Sequence, residues 1–165
     1  MRNMIVVMSV LLFAGFLVAQ QAGNVEKEKV AIKKVIEAGF NEYWNNKNYE
    51  AWANVFVHDR DFHAIAVKKS GYEEDISWES VNEKFKKRFE DTSQSRKFEY
   101  IFENFSFRIW KDAAFVSFDY YRKRNKEKDP DYIPIRAYGV FEKTKDGWKY
   151  ISWMAVYKNS WRDTE

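Results

Sequence analysis

Two histidines, His58 and His63, are the side chains of this 165-residue chain best suited to trade protons near neutral pH. His63 stands at the start of an apolar segment, residues 62–67, that reads as a strand. A neutral imidazole entering a cavity there would act as a general acid or base, or would hydrogen-bond an acidic ligand. The plainer alternative is a strand histidine bonded to a neighbour or half exposed. His58 lies in the turn His58-Asp59-Arg60-Asp61 and reads as surface. Arg136 and Tyr138 are two positions apart and share a face of a strand. A buried guanidinium keeps its proton and needs an anion, either a ligand carboxylate or an internal partner such as Asp119 or Glu142. Otherwise Arg136 is exposed on the outer face. Asp119 is flanked by Phe118 and Tyr120. Facing inward, it would be an acid of raised pKa or the partner of Arg136. Phe115, Ser117, Asp119 and Tyr121 share one parity, the more polar one, and that favours an outward Asp119.

Other chemistries lack their residues. Cysteine is absent, so there is no thiol nucleophile and no disulfide. No Gly-rich nucleophile elbow occurs. His58 and His63, even with Asp59 and Asp61, fit no common metal spacing. No metal and no cofactor is expected. The cluster Arg122-Lys123-Arg124, followed by Glu127, Asp129 and Asp131, reads as a solvated loop.

The elements that would hold these groups follow from periodicity. Over residues 25–46, Ile32, Val35, Ile36, Gly39, Phe40, Tyr43 and Trp44 recur every three or four positions and mark the buried face of a long helix. Asn48 suits the N-cap of a short helix over residues 49–56. A third helix begins near Ser77, capped by Asp75 or Ser77, with Glu79 in its first turn and the stripe Trp78, Val81, Phe85, Phe89. Phe98, Tyr100 and Phe102 then alternate with polar residues, whereas Phe105, Phe107 and Ile109 continue on the other phase. A one-residue slip of this kind is the mark of a β-bulge, and bulges bend sheets. Further strands are expected over residues 113–122, 133–143 and 148–158. Between them lie a turn at Lys111-Asp112, a charged loop over residues 123–130, and the tight turn Lys145-Asp146-Gly147. Helices gather in the first half and strands in the second, which argues for an α+β domain. A curved antiparallel (mixed) sheet over one long helix and two shorter ones would form a cone with an open mouth.

More than half of the Phe, Tyr and Trp residues lie between Phe98 and Trp161, on both parities of the strands. A sheet with two apolar faces must cover both. Its own helices cover one; a second copy of the chain, another partner or a ligand covers the other. Several of Trp44, Trp52, Trp78 and Trp153 around a void would suit a flat or apolar ligand. The chain opens with Met1-Arg2-Asn3 and an apolar run over residues 4–19, the pattern of a secretory signal peptide, short for a span of about 20 residues. An uncleaved anchor is the alternative. Residues 20–165 then form a single domain of an exported protein, periplasmic or secreted, with no membrane association after signal removal. The net charge of +3 is nearly balanced. That argues against a nucleic-acid partner bound through phosphate neutralisation.

With this order of elements the chain resembles the nuclear transport factor 2-like fold and, within it, the SnoaL-like proteins, over residues 26–161. The resemblance is carried by Tyr43-Trp44-Asn45-Asn46-Lys47-Asn48-Tyr49-Glu50-Ala51-Trp52, Asp59 through His63, Ile76-Ser77-Trp78-Glu79-Ser80-Val81, Ala113-Ala114-Phe115-Val116-Ser117-Phe118, Arg136 and Lys145-Asp146-Gly147-Trp148-Lys149-Tyr150-Ile151. It implies a cavity between sheet and helices and a homodimer through the outer sheet face. Activity is another matter, because one fold hosts many functions. In steroid-isomerase-like members the base position falls here at Ala64, the Tyr position at Asn41, and the second acid in the 134–138 region, which offers Arg136. That mechanism is therefore excluded. The histidines that SnoaL-like members often carry on the last strand are replaced by Ser152 and Met154. Arg136 matches an arginine common in that group. The expectation is an exported protein whose cavity binds a small apolar or aromatic ligand through Tyr43, Trp44, His63, Trp78, Arg136 and Tyr138. A lyase, isomerase or cyclase using His63 as acid/base with Arg136 and Tyr138 is the alternative. A dimeric interaction module with a filled core is a further one.

Overall fold

The computed structural model describes residues 24–59, 61–68, 70–91 and 97–157. The expected signal segment, residues 1–19, lies outside them. Helix α1 covers residues 24–41 and runs on through one π-helical turn, Glu42–Asn46, closed by Lys47 in the left-handed conformation at φ 53°. There follow α2 (Tyr49–Ala53), β1 (His63–Lys68), β2 (Gly71–Asp75), α3 (Trp78–Glu90), β3 (Tyr100–Ile109), β4 (Ala113–Arg122), α4 (Lys123–Lys128), β5 (Ile135–Thr144) and β6 (Gly147–Val156). Both expected caps form. The Asn48 side chain accepts from the Ala51 N–H, and the Ser77 hydroxyl accepts from the Ser80 N–H. Each satisfies a donor that the helix itself leaves unpaired. Asp75 adds a bond from the Ser80 hydroxyl at 2.9 Å.

The strands build one curved, unclosed mixed sheet in the order β2-β1-β6-β5-β4-β3. All neighbours are antiparallel except β1 and β6, which run parallel. The register of β3 against β4 slips between Glu103 and Ser106, where Asn104 takes φ 53°. Asn tolerates this left-handed conformation better than most residues. The slip keeps both phases of the β3 aromatics on one face: Phe102 and Phe105 each meet Phe118, at 6.1 and 5.3 Å between ring centres. A second slip lies between Val140 and Phe141. Two bulges in adjacent regions bend the sheet around α1.

On the inner face, Ala114, Val116 and Phe118 of β4 and Ala137 and Phe141 of β5 are fully enclosed, in one core with Ile32 and Ile36 of α1. Each enclosed large side chain contributes about 1.5–3 kcal/mol. One end of α1 is tied to the β5–β6 hairpin by Glu28, which accepts from Trp148 Nε1 and from Lys143 Nζ, both at 2.6 Å. These donors hold the Glu28 carboxyl below the usual carboxylate range.

Three details depart from the sequence reading. The strand β2 has the sequence Gly-Tyr-Glu-Glu-Asp and is mostly exposed, so no apolar alternation announces it. Charges on an edge strand are a usual device against pairing with other chains. The segment expected as a charged loop over residues 123–130 contains α4, a helix without buried residues. Helix α2 stops at Ala53, because residues 55–57 turn to pair with Tyr150 of β6.

Candidate functional site

Between the inner face of the sheet and the helices lies a cavity of about 530 Å³. Helix α1 and its π turn contribute Ile36, Gly39, Phe40, Tyr43 and Trp44. The π turn holds one more residue than an α turn, and within it the consecutive Tyr43 and Trp44 both reach the cavity. Trp52 and Phe56 come from α2 and its end, Val81 and Phe85 from α3. The sheet supplies Ala64, Tyr100, Tyr120, Ile135, Tyr150 and Trp153. Phe40 is the hub of the wall, with ring centres of Tyr120, Phe102 and Tyr100 at 4.7, 5.0 and 5.2 Å. Most of these contacts are edge-to-face, the arrangement that ring quadrupoles favour. At Gly139 the sheet leaves room for the rings: a Cβ there would stand 2.7 Å from both Phe141 Cε2 and Tyr150 Cε1.

The polar lining consists of tyrosines, cations and one asparagine. Lys68, Arg88, Arg122 and Asn125 border the cavity along with Tyr121, Tyr132 and Tyr157. Arg122 Nε donates to the Tyr100 hydroxyl at 3.0 Å. Burial pushes the Tyr100 phenol up to about 12, offset in part by Arg122. Burial also raises Tyr43, with the Arg88 charge opposing it. Tyr120 and Tyr150 lie well above the ordinary tyrosine range because both are enclosed. These phenols stay neutral at physiological pH and act as hydrogen-bonding groups. The Tyr150 hydroxyl is enclosed with no hydrogen-bond partner among the described residues. The described lining contains no Asp, Glu, His, Ser or Thr. Such a lining has the shape and polarity to hold and orient an organic molecule.

The residues singled out in the sequence divide between the two faces. Tyr43 and Trp44 line the cavity, as do Trp52 and Trp153. Trp78 is a core residue behind it, stacked between Trp52 at 5.9 Å and the His58 ring at 4.2 Å. His63 shares its strand face with Ile65, opposite to Ala64, and its Nε2 lies 2.6 Å from Glu74 Oε1 at a partly exposed position. Arg136 and Tyr138 alternate with the enclosed Ala137 and therefore also face outward. Arg136 is fully engaged: its Nε lies 2.7 Å from Asp119 Oδ1 and its Nη2 2.8 Å from Asp119 Oδ2. Asn104 Nδ2 donates to the same carboxylate at 2.9 Å. Tyr138 stacks on Phe115 at 6.1 Å. The expectation that His63, Arg136 and Tyr138 meet in the cavity is thus corrected, because strand alternation puts all three on the outer face. The outward orientation of Asp119 agrees with its parity.

Sequence reasoning missed Arg122, Arg88, Tyr100, Tyr120 and Tyr150. A signal for Arg122 existed: it continues the parity of Phe118 and Tyr120 on β4, although it also opens a basic run. Among the described residues, no three His, Cys, Asp or Glu cluster as a metal site would require. None of the described helices is long and apolar enough to cross a membrane.

No protein-family model matches the chain. No curated protein matches it either. Solved structures do. An NTF2-like protein with a cystatin-like fold from Novosphingobium aromaticivorans is 11% identical, with a TM-score of 0.60 over 90% of each chain. An NTF2-like protein of unknown function from Shewanella oneidensis is 17% identical, with a TM-score of 0.58 over 78% of this chain and 98% of that one. A proposed dehydratase of the NTF2-like family from Streptomyces avermitilis is 13% identical, with a TM-score of 0.57 over 80% of this chain and 96% of that one. The chain has the nuclear transport factor 2-like fold, an α+β cone built on a long helix and a bent sheet.

Proposed function

We propose that the protein binds a small, largely apolar or aromatic ligand in the cavity between sheet and helices and does not transform it. The observation that carries this reading is the lining: a volume of about 530 Å³ walled by aromatic rings, with neutral tyrosines, cations and one asparagine as its polar groups. That volume suits one drug-sized organic molecule. Dehydration or isomerisation would call for a proton-transferring group inside the cavity. The two histidines are outside it, one bonded to Glu74 and the other stacked on Trp78.

We further propose that the protein is exported by residues 1–19, is of the SnoaL-like type, and dimerises through the outer sheet face. Support for the dimer is the mixture that face presents: Phe115, 39% exposed, stacked on Tyr138. Native mass spectrometry of protein purified gently from its own exporting host tests these points together. The expected result is two processed chains plus an added mass of a few hundred daltons, as a pocket ligand of ordinary size requires. An apo species that also takes up no hydrophobic probe overturns the binding reading. A monomer at micromolar concentration overturns the dimer.

A further inference from the structure

We propose that the ligand is an amphipathic organic anion, with a flat aromatic body in the cavity and a single anionic head, of carboxylate type, held by Arg122 and Arg88. This rests on the cavity-binding reading and adds the charge of the occupant.

Arg122 ends β4 on the same face as Phe118 and Tyr120, so its side chain runs along the cavity wall. Its guanidinium carbon lies 3.7 Å from the centre of the Phe98 ring and 4.9 Å from that of Trp44. Its Nε is taken by the Tyr100 hydroxyl. These contacts fix the plane of the group and use one of its five N–H donors. Aromatic faces attract a cation but bring no counter-charge. Arg88, on α3, lies over Phe85 at 4.9 Å and beside the Tyr43 hydroxyl. The two arginines thus flank Tyr43 and Trp44, whose ring centres are 4.5 Å apart.

Among the described residues no carboxylate forms an ion pair with either arginine, whereas two neighbouring lysines are paired. Lys68, also on the lining, is bound to Glu73; Lys123, next to Arg122, is bound to Glu99. On the outer face Arg136 receives Asp119 in a two-point contact. Among the described residues, Arg122 and Arg88 each combine a clamped or ring-stacked guanidinium with the lack of an ion-paired carboxylate, which is what a carboxylate receptor presents. Tyr150 adds a second point. Its ring leans over Gly139, and its enclosed hydroxyl lacks a protein partner among the described residues. The Tyr150 ring meets Trp153 at 5.7 Å, and Trp153 meets Tyr120 at 6.3 Å, so Tyr150 stands two ring contacts along the wall from Tyr120. A polar substituent at the end remote from the anionic head would meet this hydroxyl.

Fluorescence titration of the full-length protein with anilinonaphthalene sulfonate and with phenylnaphthylamine, the same rings without the sulfonate, separates charge from shape. The anionic probe is expected to bind about tenfold more tightly than the neutral one. Arg122→Gln and Arg88→Gln should each weaken the anionic probe about fivefold and the neutral probe by clearly less, so that the ratio of the two affinities falls. Arg88 is exposed, so its variant keeps the test sound if Arg122→Gln folds poorly. Equal affinity for the two probes, with both variants silent, overturns the anionic head and leaves the cavity reading standing. Failure of both probes to bind, or binding that survives Ala64→Phe in the cavity wall, overturns both.

Discussion

Replacing Tyr150 by phenylalanine should make the unliganded protein more stable. The residue is 2% exposed, and its hydroxyl has no partner among the described residues. The ring is well held, with Phe141, Phe56 and Trp153 at 4.1, 5.5 and 5.7 Å between centres. Tyr150→Phe keeps those contacts and deletes only the oxygen. An enclosed hydroxyl without a partner costs about 1–3 kcal/mol, and the small void left behind returns less than about 1 kcal/mol of that. The expected net gain is about 1 kcal/mol, or about 2–4 °C in Tm for a chain of this size. Urea unfolding followed by tryptophan fluorescence would read it as a midpoint moved upward at constant slope. A loss of about 1 kcal/mol or more would refute the reasoning, since it would mean that the hydroxyl is bonded in the folded state. The same variant should bind a ligand with a distal polar group less tightly than the parent does. Stability and affinity would then move in opposite directions.

Gly139→Ala should destabilise by about 1–3 kcal/mol, because the new Cβ would stand 2.7 Å from two packed rings; an unchanged thermal midpoint would show that the rings can yield. Asp119→Ala strips Arg136 and Asn104 of their shared partner and should cost about 2–4 kcal/mol, while the double variant with Arg136→Ala loses clearly less than the sum. Strictly additive losses would deny that the pair is coupled, and neither variant should alter probe binding, since both residues face outward. Tyr120 and Tyr150 titrate well above the ordinary range when folded, and the unfolded chain releases those protons near pH 10. Their contribution is complete below about pH 10 and falls by about 1.4 kcal/mol per pH unit per tyrosine as the pH rises toward the folded values. Denaturant midpoints that match at about pH 8 and about pH 11 would contradict this.

The α+β fold was legible because its elements rest on local signals. The α1 stripe, the Asn48 and Ser77 caps and the phase slip between Phe102 and Phe105 each have one physical cause, and each recurs in the structure. Strand β2 was illegible for an equally physical reason: an exposed edge strand is held by its backbone ladder to β1, and its side chains need not alternate. The cavity was only half legible. Tyr43 and Trp44 were found through helical periodicity. Arg136 stands out through its match to an arginine common in SnoaL-like proteins, and Arg122 reads as part of a solvated basic cluster, yet an arginine can be accommodated on either face of a sheet. Alternation from Phe118 selects Arg122 as the inward one, and alternation from Ala137 selects Arg136 as the outward one. Fixing the absolute face required knowing which residues are fully enclosed, and one sequence does not state that.

The parallel pairing of β1 with β6 governs the order in which this molecule can be completed. His63 is opposite Ser152, so the partner of β1 is made about 90 residues later, a separation that slows folding through the cost of closing so long a loop. Until β6 exists, β1 and β2 form a short hairpin with an unmet edge, and the Phe56 ring lacks Tyr150, which stacks on it at 5.5 Å. During synthesis the first half of the chain is therefore an adhesive intermediate, the kind of species on which chaperones act. Truncation before residue 147 should leave it permanently in that condition, as an aggregating fragment.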